Sequence, residues 1–383
     1  MRDASGVSGR SKVDPFIVMD VMERARALEE AGRSIVHMEV GQPGTAAPAA
    51  ARAALAAAMD AGPLGYTVAL GLPELRARIA RHYGEWYGVD LDPARVVVTS
   101  GASGGFLLAF TALFDAGQRV GLGLPGYPSY RHILTALSLE AVGISTRAED
   151  RYQPRPGDVT TDLDGLILAS PGNPTGTMLD RDALAALAGA CRNAGAALIS
   201  DEIYHGLDYG SRAVSALEVD DGATVVGSFS KYFSMTGWRV GWLVVPQAHV
   251  RTYERLAQNM FICAPHASQI AALAAMEAEE ELQANRAVYA ENRRLMMEGL
   301  PRAGLDRIAP PDGAFYVYAD VSALTDDSLA FAARILDEAG VAVTPGLDFD
   351  PARGARTLRF SYARATADIV EGLDRLARFM AAR

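Results

Sequence analysis

The run Ser228-Phe229-Ser230-Lys231-Tyr232-Phe233-Ser234-Met235-Thr236-Gly237-Trp238-Arg239 sets one amine among hydroxyls, with a guanidinium eight positions on. The β-branched Thr224-Val225-Val226 before it reads as a buried strand ending at Gly227-Ser228. Lys231 therefore leaves a strand end, in the loop region where functional residues of α/β folds collect. An amine there suits a Schiff base with a phosphorylated aldehyde, with Lys231 for the carbonyl and Ser228 and Arg239 for the phosphate. A surface loop with a stray lysine fits the same run, so other motifs must decide.

Gly101-Ala102-Ser103-Gly104-Gly105 also sits between an apolar strand (95–100) and an apolar helix (102–114). Small residues let backbone N–H groups approach a phosphate, and a helix N-terminus favours its charge. No Gly-Lys-Ser/Thr follows and the GxGxxG spacing is not clean, so a Walker loop is excluded and a dinucleotide site is the weaker alternative. A plain tight turn fits as well. Ala169-Ser170-Pro171-Gly172-Asn173-Pro174-Thr175-Gly176 ends another strand, and its prolines and glycines hold the Asn173 amide rigidly. A third strand ends in Asp201-Glu202-Ile203-Tyr204-His205. A carboxylate at a buried strand end needs a cationic or hydrogen-bonding partner, and a pyridinium nitrogen would be one. A metal on Asp201, Glu202 and His205 would need further ligands, and no second His/Asp/Glu cluster complements them. His205 reads as a structural neighbour, as do the scattered His37, His82, His132, His249 and His266.

The elements that must position these residues follow from apolar periodicity. Strands are predicted at 95–100, 119–124, 163–169, 196–200, 223–228 and 240–245, with helices at 102–114, 180–194 and 268–298. Continuous apolar runs imply strands covered on both faces, hence an α/β fold with a mostly parallel sheet. Upstream, Asp14-Pro15 reads as an N-cap and first-turn proline, opening a helix that ends near Gly32. A strand at 34–40 and helices at 46–60 and 72–86 follow. The last portion mixes strands (314–318, 356–362) with helices (328–339, 367–381) as a smaller α+β unit. The expected division is residues 1–45 joining that unit, 46–285 as the large domain and 286–383 as the small one.

With 383 residues, half of them hydrophobic and 21% charged, the chain can bury a large core. A net charge of −10 argues against nucleic-acid binding as the main business. Cys191 and Cys263 lack CxxC spacing, so neither a disulfide framework nor a zinc site is indicated. No signal peptide and no apolar stretch of bilayer-spanning length is visible, so a cytoplasmic protein without a membrane segment is expected.

Taken in order, Asn173-Pro174-Thr175-Gly176, Asp201-x-x-Tyr204, Ser228-x-x-Lys231 and Arg239 resemble the class I/II aminotransferases, which are fold-type I pyridoxal-phosphate enzymes. Tyr66 and Leu75-Arg76 fall where that family has its early elements, and Leu358-Arg359-Phe360-Ser361 looks like its carboxylate-binding segment. The resemblance implies that Lys231 carries the cofactor and then moves the proton between Cα and the cofactor carbon. It implies that Asp201 keeps the pyridine nitrogen protonated, that Tyr204 and Asn173 bond the phenolic oxygen, and that Tyr127 stacks on the ring. Gly101, Ala102, Ser103, Ser228 and Arg239 would hold the phosphate. Tyr66 would reach the phosphate of a neighbouring subunit in a homodimer. Arg359 would grip the substrate carboxylate, with Gly41 and Asn173 nearby.

The implied reaction moves an amino group from an amino acid to a 2-oxo acid. A lyase or decarboxylase would need the same lysine, aspartate and arginine. A non-catalytic sensor would be preceded by a DNA-binding domain, whereas only about a dozen residues precede the first helix here. Ser103 stands where some relatives acting on acidic substrates carry lysine. Phe16, Ile17, Phe261 and Ile262 are expected near the side-chain pocket, which points to a neutral or apolar substrate.

Overall fold

A computed structural model describes residues 6–382. The chain opens with α1 (Ile17–Glu30), β1 (Val36–His37), α2 (Ala49–Ala61) and α3 (Pro73–Tyr87). Next come β2 (Val96–Thr99), α4 (Gly101–Leu113), β3 (Arg119–Leu124), α5 (Pro128–Ala136) and β4 (Glu140–Ser145). The centre holds β5 (Gly165–Ala169), α6 (Arg181–Ala194), β6 (Ala197–Asp201), β7 (Thr224–Ser228) and β8 (Gly241–Val244). Helices α7 (Val250–Met260), α8 (His266–Ala275) and α9 (Glu279–Arg302) lead to β9 (Ile308–Ala309) and β10 (Tyr316–Asp320). The chain closes with α10 (Ser328–Arg334), β11 (Val341–Ala342), β12 (Thr344–Pro345), β13 (Thr357–Ser361) and α11 (Thr366–Ala381).

The large sheet has seven strands in the order β2-β8-β7-β6-β5-β3-β4, all parallel except β8. Alternate residues of one strand enter different cores. Leu166 and Leu168 face one layer of helices while Ile167 faces the other, and Val225 and Val226 divide in the same way. That two-sided burial is why the strands read as unbroken apolar runs. Parallel pairing also forces each crossover to return to the same edge, so the carboxyl ends of β2, β3, β5, β6 and β7 share one rim. A second, antiparallel sheet runs β12-β13-β10-β9, and β1 pairs with β11.

Several boundaries differ from the expectation. Helix α1 begins at Ile17, not at an Asp14 cap. The Asp348 carboxylate accepts from the amides of Ile17 (3.1 Å) and Val18 (3.3 Å), so the cap comes from far along the chain. The strand expected at 34–40 pairs only at Val36 and His37. The long helix expected at 268–298 is two, α8 and α9, interrupted at 276–278. Strand β4 and helices α5 and α7 went unread: β4 is a largely exposed edge strand, and α5 has only nine residues. Among the described residues, no helix is long and apolar enough to cross a membrane.

Replacing Asp348 by Ala should cost α1 about 1 kcal/mol of local stability. Hydrogen exchange at the Ile17 and Val18 amides should then rise roughly five-fold, with exchange in β5 and β6 unchanged.

Candidate active site

Strand register assembles one end of the site. Gly241, the first residue of β8, pairs with Thr99 at the end of β2 and with Ser228 at the end of β7. The N-terminus of α4, the Ser228 hydroxyl and Arg239 therefore meet at one point on the rim. Gly101 has φ +70°, and a side chain on it would run into the Arg239 guanidinium, so glycine is what lets that group approach the helix start. Arg239 Nη1 donates to Thr236 O at 2.9 Å, and Ser228 Oγ accepts from the Ser230 amide at 3.0 Å. Backbone donors, a hydroxyl and a guanidinium converge as an anion site.

Neighbouring strands supply the middle. Asp201 ends β6, opposite Ala169 at the end of β5, and is only 3% exposed. Its carboxylate accepts from the Tyr130 hydroxyl and from the Ile203 amide at 3.2 Å, both neutral donors. Burial pushes its pKa up to about 6, against the pull of those two donors. The Tyr127 ring stands edge-on to Tyr130 at 5.3 Å and to Phe16 at 5.9 Å. Tyr204 is buried, and its hydroxyl lies 2.8 Å from that of Tyr316.

Lys231 and Arg359 complete the arrangement. Lys231 Nζ donates to Gly41 O at 2.6 Å and lies 5.6 Å from the centre of the Tyr204 ring. Burial and the Arg359 guanidinium push the amine down to about 8, with Asp201 opposing them. Arg359 is buried in β13. Its Nη1 donates to Asn173 Oδ1 at 2.9 Å, and Nη2 donates to Glu39 O and to Thr344 Oγ1. The guanidinium lies 4.4 Å from the Tyr316 ring centre and 4.7 Å from that of Phe349. Its Nε is buried without a partner.

One cavity of about 620 Å³ is lined by Lys231, Asp201, Tyr204, Asn173, Tyr127, Ala102, Ser103, Ser228, Arg239, Gly41 and Arg359, all expected from sequence. Gly101 lies against Arg239 just behind that lining. Tyr66 stands apart, 81% exposed on the surface. Of the residues expected at a side-chain pocket, Phe16 lines the cavity together with Val18 and Met19, whereas Ile17, Phe261 and Ile262 do not. Tyr130 and Tyr316 were missed. Tyr130 follows Tyr127 by one helical turn, a spacing that could have flagged it; Tyr316 carries no local signal.

The sequence profile of aminotransferase class I and II matches residues 33–376. The chain is a class I/II aminotransferase. It is 49% identical over 381 residues to the valine–pyruvate aminotransferase of Mycobacterium tuberculosis, covering 98% of each chain. An aminotransferase structure from the same organism superposes with a TM-score of 0.96 at 48% identity, over 98% of this chain and 99% of the other. The aspartate aminotransferase of Thermus thermophilus with maleate gives 0.92 at 31% identity, over 97% and 99%. The aminotransferase thus has the fold-type I architecture, with amino acids and 2-oxo acids as its substrates.

A buried amine of lowered pKa is expected to cost stability in the protein without a bound cofactor. At pH 7 Lys231 is protonated in both folded and unfolded chains, so the penalty for burying its charge is fully present. It fades as pH rises from about 8 to the ordinary 10.5. Lys231→Met should therefore stabilise the cofactor-free protein by roughly 2 kcal/mol at pH 7. In urea titrations that advantage should shrink across this window.

Proposed function

We propose that this aminotransferase holds pyridoxal phosphate on Lys231, takes amino acids with neutral, apolar side chains, and works as a homodimer. The observation that carries the reading is one cavity containing a lowered amine, a buried anion and a buried guanidinium: Lys231, Asp201 and Arg359. The residues fit the cofactor at both ends. Asp201 is a buried carboxylate with neutral donors, suited to a protonated ring nitrogen, and the Gly101 cradle beside Arg239 suits a phosphate. When bound, the cofactor supplies an aldehyde that accepts and returns amino groups and a ring that draws electrons from the reacting carbon.

The chain's own groups do the rest. Arg359 is aligned by Asn173, Glu39 O and Thr344 to offer a planar fork to the substrate carboxylate. Lys231 Nζ, with a pKa near 8, can both accept a proton from the substrate Cα and return it near neutral pH. Asp201 would keep a proton on the ring nitrogen through its charge, Tyr204 and Asn173 would hold the phenolic oxygen, and Tyr127 would cover the ring face.

The apolar wall of Phe16, Val18, Met19 and Val40 supports a neutral substrate side chain, as does the likeness to a valine–pyruvate aminotransferase. A donor screen with pyruvate should rank branched aliphatic amino acids above aspartate. Preference for aspartate would overturn the specificity. Arg359→Lys should lower kcat/KM about 30- to 1,000-fold for every donor alike, because lysine cannot make two parallel bonds to a carboxylate. A loss confined to one substrate class would make Arg359 a side-chain residue instead.

The dimer reading rests on Tyr66, exposed beside the exposed apolar Val68, with the partner's phosphate as its target. Mixing inactive Lys231→Ala protein with a Tyr66→Phe variant of lowered activity should raise the activity above that of the Tyr66→Phe protein alone, since a mixed dimer contains one intact site. Failure of complementation while heterodimers form would place Tyr66 outside the site.

A further inference from the structure

Tyr316 is 1% exposed, opens β10 and lines the active-site cavity. Its one side chain touches three parts of the site that come from distant stretches of sequence. Its ring lies 4.4 Å below the Arg359 guanidinium, the distance of a cation–π contact. Its hydroxyl is 2.8 Å from that of Tyr204. The phenol oxygen also fills the space where a side chain on Gly41 would project, and Gly41 O is the acceptor for Lys231 Nζ.

Resting on the functional reading above, we propose that Tyr316 is a positioning residue with two separable tasks. Its ring holds Arg359 flat for the substrate carboxylate, and its hydroxyl directs the single proton of Tyr204 towards the cofactor's phenolic oxygen. Each phenol has one proton to give. If Tyr204 donated to Tyr316, nothing would remain for the cofactor, so Tyr316 must be the donor of the pair. A phenol that accepts one hydrogen bond donates a stronger one. Tyr316 thereby strengthens Tyr204 as a donor without touching the cofactor.

Two variants divide the tasks. Tyr316→Phe keeps the ring and removes the hydroxyl; Tyr316→Leu removes both. The probe for the ring is isovalerate, an unreactive apolar carboxylate, with affinity measured by calorimetry with and without cofactor. Its affinity should stay within about two-fold in Tyr316→Phe and fall roughly 3- to 30-fold in Tyr316→Leu. The probe for the hydroxyl is the pH midpoint of the bound cofactor's visible band. A weaker Tyr204 donor stabilises the phenolate form less, so the midpoint should rise in Tyr316→Phe by about half a unit to one unit.

Equal loss of isovalerate affinity in both variants would overturn the ring's role, and an unmoved midpoint would overturn the hydroxyl's. Should Tyr316→Leu not fold, Tyr316→Phe alone decides: retained carboxylate affinity with a displaced band supports the division, and loss of affinity refutes it. A wild-type protein that takes up pyridoxal phosphate without any visible band would sink the cofactor assignment and the hydroxyl's task together. The isovalerate measurement on cofactor-free protein would still judge the ring.

Discussion

Lys231 and Asp201 sit in one cavity, and burial pushes each towards its neutral form, the amine down to about 8 and the carboxyl up to about 6. Holding two such groups near one another against that pressure requires a frame that cannot relax around them. The parallel sheet is that frame. Its central strands are buried on both faces, so the positions of their carboxyl ends are set by two helix layers rather than by loop packing. Asp201 sits on one of those ends and Lys231 just beyond another.

Arg359 is held by a different logic. It comes from the small antiparallel sheet, and its bonds reach Asn173 at the end of β5, Glu39 O beyond β1 and Thr344 in β12. A single guanidinium therefore joins the carboxyl-end rim of the large sheet to both of the smaller sheet systems. The Asp348 cap on α1 acts in the same region, fixing the helix that brings Phe16, Val18 and Met19 to the cavity. The alignment of the buried guanidinium and the link between the two sheets thus depend on the same side chains.

What could be read from the sequence follows the range of the interaction that determines it. The central strands are legible because two-sided burial writes itself into consecutive residues. Asp201 is legible because it ends an apolar strand, Asn173 and Lys231 because they follow strand ends, and Arg239 because it stands between glycines just before β8. Strand β4 was not legible, since an edge strand with half of its residues exposed need not form an unbroken apolar run. The start of α1 misled because its capping carboxylate is Asp348, far away in sequence, while the nearby Asp14-Pro15 imitates a local cap. Tyr130 and Tyr316 act through contacts with Asp201, Tyr204 and Arg359 that only the folded chain creates. The break between α8 and α9 lies in an alanine- and glutamate-rich stretch that favours helix throughout.

Strand β8 is the one reversed member of the large sheet. Its reversal brings a strand's beginning, not its end, to the rim, so the chain leaves at Ser228 and returns at Gly241 without a helical crossover. Lys231 and Arg239 consequently ride on one short span clamped at both ends by adjacent strands. In mechanical terms this is a closed linkage with little slack. The distance between the amine and the guanidinium is set by the loop's own length, so an insertion there would shift both groups at once while sparing the rest of the cradle.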